Sequence, residues 1–157
     1  MNLSQRRQPS APRGQQRGMS LLEVLIAVLV LAIGLLGVAA LQATALRNSQ
    51  SSLERNQAVI ASYTILDAMR ANLVSARAGN YALARTCTVP TAAGTPADVL
   101  RDADQQDWIR DMQAVMGGSA CGLIEFSGGV YTITVEWDDS RGSGGSNAQK
   151  LKTMVQI

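Results

Sequence analysis

Glu23 is the single acid at the head of an otherwise apolar stretch. Val24 to Leu41 runs for 18 residues without a charge. On its other side Arg6, Arg7, Arg13 and Arg17 precede Gly18, and no acid does. An ionised carboxylate in a membrane segment costs about 2.5–3.5 kcal/mol on insertion scales, and intramembrane acids usually have a partner. A plain membrane anchor gains nothing from such a residue. A segment that must later meet a cation in a protein core does gain, because a buried carboxylate is stable only when paired.

Other chemistry is thinly represented. The chain of 157 residues has no His. That excludes a Ser-His-Asp triad, a Cys-His pair and most zinc sites. No Gly-rich loop follows a strand and opens a helix, so Gly142 to Gly145 is turn chemistry rather than a phosphate cradle. Asp98, Asp102, Asp104, Asp107 and Asp111 cluster, but a solvated helix start explains them better than a metal does. Asp138 and Asp139 are two adjacent acids, too few for a calcium ligand set, and read as a solvated turn. No catalytic residue, cofactor or metal is expected.

Length allows one modest domain plus a membrane segment. Of the residues, 46% are apolar, and many of these fall between Met19 and Leu46. That span is 28 residues, and a bilayer core needs roughly 20 in helix. The arginines before it orient the leader to the cytoplasm. The apolar stretch is too long for a secretory signal peptide, and no clean A-x-A site follows. Removing the four early arginines from the 14 basic residues leaves 10 against 12 acids, a net charge of −2 in place of +2. Nucleic acid is thereby excluded as a partner, since the basic footprint it requires is missing from the body of the chain.

Arg17-Gly18-Met19-Ser20-Leu21-Leu22-Glu23, followed by an apolar helix, resembles the prepilin motif of type IV pilins and their relatives. The resemblance implies that a prepilin peptidase cuts after Gly18 and N-methylates Met19, the new first residue. Glu23 becomes the fifth mature residue and pairs with a subunit N-terminus to fix axial register. Two departures stand out. The first mature residue is Met rather than the commoner Phe, and Ala40 occupies the place where major pilins often carry Pro. Gly34 and Gly37 are the helix-weakening residues of the span.

Arg47 to Gln57 is polar but has neither Pro nor Gly, so the helix can continue through it. Val59, Tyr63, Leu66, Met69 and Leu73 then fall on one helical face, with Asp67, Arg70 and Arg77 on the other. Gly79-Asn80 is the stop. The pattern predicts one helix from about Ser20 to Ala78. Tyr81 to Ala97, with Pro90, Gly94 and Pro96, reads as a loop. Asp104-Gln-Gln-Asp107 resembles a capping box opening a helix with Trp108, Met112 and Val115 on its apolar face, ended by Gly117-Gly118. Three strands follow. Gly122 to Phe126 leads into the turn at Ser127-Gly128-Gly129. Val130 to Trp137 alternates, with Tyr131, Ile133, Val135 and Trp137 on one face. Asp138 to Asn147 is a flexible loop, and Leu151 to Ile157 is the last strand, with Leu151, Thr153, Val155 and Ile157 aligned.

The expected fold class is α+β: a long N-terminal helix on a small antiparallel sheet, which is the pilin-like roll that the resemblance implies. The expected division is a leader over 1–18, a long helix over 19–80 with its transmembrane and filament-core part at 19–46, and a periplasmic head over 81–157. Cys87 and Cys121 lie on the translocated side, where disulfides form. A bond between them would close a loop of about 35 residues and contribute on the order of 3–4 kcal/mol; two free thiols are the alternative.

A finer resemblance, to the PilV-type minor pilins (type IV pilus modification proteins), rests on Ser52-Leu53 through Leu73, on the Trp108 helix and on Tyr131 to Asp139. It implies an inner-membrane protein that helps to initiate pilus assembly, supporting twitching motility and adhesion. Its implied partners are prepilin peptidase, other minor pilins, the major pilin and inner-membrane lipid. A minor pseudopilin of type II secretion shares Gly18, Glu23 and the expected fold, and is the alternative.

Overall fold

A computed structural model describes residues 20–92, 98–142 and 144–157. Gly18, Met19, the arginines before them, Gly94 and Pro96 lie outside the described residues. In chain order the elements are α1 (Leu21–Ala71), α2 (Leu73–Arg77), β1 (Leu83–Thr86), α3 (Val99–Met116), β2 (Cys121–Ser127), β3 (Val130–Trp137) and β4 (Gln149–Gln156). The described residues fall into two units, divided between Ala40 and Leu41.

In the first unit the described part is helix alone. Every residue from Leu21 to Ala40 is exposed, including Leu22, Leu25, Leu29, Ile33 and Leu36. An uninterrupted apolar surface of this extent requires lipid or another protein against it. Among the described residues α1 is the one helix long and apolar enough to cross a membrane.

The second unit holds the core. Its four strands form one antiparallel sheet in the order β1-β2-β3-β4. Later residues of α1, together with α3, cover one face of that sheet. The buried cluster joins Ala58, Ile65, Leu66 and Met69 of α1, Trp108, Ile109 and Met112 of α3, and Tyr131, Ile133, Val135 and Trp137 of β3. The fold is thus pilin-like α+β, a long N-terminal helix on a four-stranded antiparallel sheet.

β3 matches its expected bounds and face, and the four inward side chains are all buried. The turn before it has Gly128 at φ 58° and Gly129 at φ 80° between the paired residues Ser127 and Val130. Two consecutive positive-φ positions make the two-residue hairpin whose twist suits a β-ribbon.

Several expectations are corrected. The buried face of α1 is Glu54, Ala58, Ser62, Ile65, Leu66 and Met69, whereas Val59, Tyr63 and Leu73 are 40–53% exposed. The Trp108 indole is tied to this helix, its Nε1 donating to the Ala61 carbonyl at 2.9 Å. Ser62 tolerates burial by returning its hydroxyl to the Ala58 carbonyl at 2.9 Å. The helix is also not continuous to Ala78. Asn72, at φ −120° and ψ 58°, interrupts it and α2 follows. Gly79-Asn80 does terminate α2: Asn80 N–H reaches the Ser75 carbonyl and Gly79 N–H that of Ala76. These are the paired bonds of a Schellman end, with Gly79 at φ 81° as it demands.

The segment read as a loop contains β1, which pairs Leu83 with Ile124 and Thr86 with Gly122. The α3 helix begins at Val99, so Asp104 to Asp107 lie inside it and do not cap it. Arg101 fastens the true start, reaching Asp98 at 2.9 Å and Asp102 at 2.6 Å. Val115 is exposed, and Ile109 and Met116 take the inward positions instead.

Candidate functional site

Ser20 immediately precedes α1. Its side-chain Oγ accepts from Glu23 N–H at 3.2 Å, and its carbonyl accepts from Glu23 N–H at 3.0 Å and Val24 N–H at 3.3 Å. That makes Ser20 an N-cap and Glu23 the residue three places on, in the first turn. A carboxylate there meets the positive end of the helix dipole. Glu23 is exposed, so its carboxylate is open to a cation from outside this chain's described part. The Ser-x-x-Glu spacing is the sequence signal of this helix start.

Sulfurs of Cys87 and Cys121 are bonded at 2.04 Å. The link ties the residue after β1 to the first residue of β2, and Gln113 of α3 donates to the Cys87 carbonyl at 2.7 Å. Disulfide, strand pair and helix contact thus converge on one corner of the head.

Two further places gather polar groups that spacing alone did not reveal. One is a cavity of about 430 Å³ lined by Arg47, Gln50, Ser51, Glu54 and the 139–142 turn. Asp139 and Glu54 are both buried there. Asp139 accepts from Ser51 at 2.6 Å, and Asp138 accepts from Ser140 N–H at 2.9 Å. The Ser140 hydrogen bonds hold the Asp138 carboxyl below the usual carboxylate range. The adjacent acids are therefore already occupied by the fold. Among the described residues no group of three or more His, Cys, Asp or Glu is placed to hold a metal.

The other lies on the sheet face turned away from the helices. Arg85 grips Glu136 with Nη2 at 2.7 Å and Nε at 3.2 Å, and Lys150 adds a contact at 3.3 Å. Arg85 first, and Lys150 after it, hold the Glu136 carboxyl below its ordinary pKa, and the same contact raises that of Arg85.

Residues 13–39 match the family model described as the prokaryotic N-terminal methylation motif. No similar curated protein and no similar solved structure was found. The matched segment contains Gly18, Met19 and Glu23 and ends inside the exposed apolar part of α1. Fold and motif together define a pilin-like chain with a prepilin-type methylation motif. A motif of this kind implies processing by a prepilin peptidase, and it suggests the type IV pilins and the pseudopilins as the wider group.

Proposed function

We propose that this chain is a minor pilin of the PilV type, a subunit that helps to initiate type IV pilus assembly. The methylation motif over 13–39 supports the prepilin part of this reading, and the finer part rests on the resemblance of Ser52 to Leu73, the Trp108 helix and Tyr131 to Asp139 to the PilV-type proteins. The motif runs directly into an exposed apolar helix, and the chain's C-terminal part is a pilin-like head. In this reading prepilin peptidase removes residues 1–18 by cutting between Gly18 and Met19, and methylates the Met19 amine. Residues 19–46 then cross the inner membrane once and later enter the filament core. The disulfide-linked head, over 81–157, is periplasmic.

Cleavage and Glu23 act together in this scheme. The cut creates an amine, and a carboxylate leaving lipid for a protein core needs a cation. Glu23 takes the Met19 amine of its own or a neighbouring subunit and so sets axial register. Other minor pilins and the major pilin are the assembly partners.

N-terminal sequencing of the membrane-extracted protein is expected to begin at a methylated Met19. Deleting the gene is expected to abolish twitching and leave exoprotein secretion intact. The reverse phenotype would assign the chain to type II secretion as a minor pseudopilin. An intact leader on the assembled protein would remove the prepilin reading itself.

A further inference from the structure

The cavity between α1 and the 139–142 turn holds separated charges of both signs. Arg47, Gln50, Ser51 and Glu54 share one face of the helix, and the turn brings Asp139 and Arg141 against them. Its volume, about 430 Å³, lies within the roughly 300–1,000 Å³ of small-molecule sites. Two cations and two carboxylates line it. No ion pair among the described residues joins either arginine to either acid.

Glu54 is the unanswered group. It is 7% exposed, and its Oε2 is enclosed with no hydrogen-bond partner among the described residues. A ligand need not touch that atom. The negative charge is shared by both carboxylate oxygens, and Glu54 forms part of the cavity wall. A buried carboxylate is costly until a cation pairs with it. Asp139 asks for less, since Ser51 already donates to its Oδ2.

The cationic side is open. Arg47 and Arg141 are both exposed, and guanidinium groups grip phosphate oxygens through paired N–H donors. Arg141 is also drawn on by Asp138, which leaves Arg47 the freer of the two. Arg47 and Glu54 stand two helical turns apart, about 10 Å along the axis. A group that carries its own separated charges suits that spacing. A simple anion would leave Glu54 unpaired, and a simple cation would sit beside two arginines. At Glu54 a primary ammonium serves better than a quaternary one, because only the former has N–H groups to donate.

The sequence puts this cavity where such groups are plentiful. Arg47 is the first charged residue after Glu23, and it directly follows the 19–46 segment. In the membrane-spanning reading of that segment, Arg47 belongs to the outer headgroup layer, where a basic residue at a helix end settles.

We propose that this cavity binds a phosphoethanolamine group, with the phosphate on Arg47 and Arg141 and the ammonium on Glu54, presented by a phosphatidylethanolamine headgroup of the membrane. The headgroup as source rests on the membrane-spanning reading of 19–46; the chemistry of the cavity does not.

The full chain in maltoside micelles is titrated with dihexanoylphosphatidylethanolamine, with its choline and glycerol counterparts, and with free O-phosphoethanolamine. Amide NMR shifts of Ser51, Glu54, Ser140 and Gly142 are the readout. Saturable shifts are expected with the ethanolamine lipid, and about fivefold weaker binding with the other two. Glu54→Gln is expected to weaken the ethanolamine lipid about tenfold and to erase its advantage over the glycerol lipid. Arg47→Gln, a change at an exposed side chain, should weaken both lipids about fivefold. Arg55→Gln, exposed on α1 and outside the cavity wall, should change neither. Equal binding of the choline or glycerol lipid, or an ethanolamine preference that survives Glu54→Gln, would overturn the proposal. So would the absence of saturable shifts with either ethanolamine compound. Saturation by the free ester without a response to the lipid would overturn the headgroup as source, in favour of a soluble ester. N-terminal sequencing at Met19 judges the prepilin reading separately from all of these outcomes.

Discussion

Ser51 and Asp139 are 88 residues apart in sequence and share a hydrogen bond of 2.6 Å, from the hydroxyl to the carboxylate. The contact fastens the Gly/Ser-rich turn after β3 to α1. Asp139 also organises the turn through its backbone, donating to the Ser146 carbonyl at 2.9 Å and accepting from Gly142 N–H at 3.0 Å. Asp139 is 3% exposed, so its loss leaves a hole lined by polar groups. Asp139→Ala is expected to cost about 1–3 kcal/mol, the penalty for a buried partner left unsatisfied. Asp139→Asn keeps an acceptor for Ser51 and should cost less. Urea midpoints of the two variants at constant m-value give the comparison.

Gly122 lies under the Trp108 ring. A Cβ placed there would stand 2.5 Å from Cζ3 and 2.7 Å from Cη2 of Trp108, and 2.8 Å from Cδ1 of Ile109. The indole cannot retreat freely, because its Nε1 is fixed to the Ala61 carbonyl. Gly122→Ala should therefore destabilise by about 1–3 kcal/mol through overpacking. Thermal unfolding measures the loss, and a changed Trp fluorescence maximum would report the displaced ring. Gly118→Ala, where a Cβ meets nothing within 4 Å, is the control and should be much milder.

These contacts also show what a sequence can and cannot disclose. Tyr131, Ile133, Val135 and Trp137 alternate over a full strand that begins directly after paired glycines, so β3 and its buried face were legible. β1 was not, because Leu83-Ala-Arg-Thr86 is four residues long, has no strong β pattern, and owes its place to pairing with β2. The core face of α1 was misread for a related reason. Large apolar residues such as Tyr63 dominate a periodicity count, but the buried face of α1 also holds the small residues Ala58 and Ser62, which periodicity of large side chains does not mark. Within the candidate site, the motif through Glu23 was plain because its parts are contiguous. The Asp139 anchor joins segments 88 residues apart, and periodicity carries no information about it.

Cys87 and Cys121 close a loop of sequence separation 34 that contains all of α3. Cross-linking a loop of that length removes unfolded-state entropy worth on the order of 3–4 kcal/mol in the loop-closure model. The double variant Cys87→Ser with Cys121→Ser is expected to lower unfolding stability by about that amount. Wild type measured with reductant should fall to the same level. β1, held by only a short ladder, is expected to lose amide-exchange protection first, since short pairings open most readily.

Alkali should unfold the head through its buried phenols. Burial first, and the Asp104 carboxylate after it, pushes the Tyr81 hydroxyl well above its ordinary pKa of 10.0. Burial does the same to Tyr131, whose hydroxyl donates to the Ala76 carbonyl at 2.6 Å. Both groups have a folded pKa above the unfolded one. Their contribution is fully present below pH 10.0 and is lost as the pH rises toward the folded values, because the unfolded chain ionises first. Stability should therefore be level with respect to these groups below that pH and fall above it. Phenolate absorbance from Tyr81 and Tyr131 should appear together with loss of near-UV circular dichroism. Tyr131→Phe removes one source of the decline and should flatten the alkaline limb, while losing about 1 kcal/mol or more at neutral pH from the missing hydrogen bond.

Glu23 and Ser20 allow the assembly role to be separated from the helical one. Both belong to the first turn of α1, and Ser20 Oγ accepts from the Glu23 backbone N–H rather than from its side chain. Ser20→Ala thus removes a cap, worth about 0.5–2 kcal/mol of local helix stability, and leaves the carboxylate in place. Glu23→Ala removes the carboxylate and leaves the cap. If the carboxylate sets register by pairing with a subunit N-terminus, Glu23→Ala should be processed and membrane-inserted normally, yet fail to enter filaments. Ser20→Ala should be processed and assembled close to wild type. Immunoblots of sheared-filament and membrane fractions distinguish the two variants. Normal incorporation of Glu23→Ala would remove the register role, and equal failure of both would place the defect in the helix start instead of the charge.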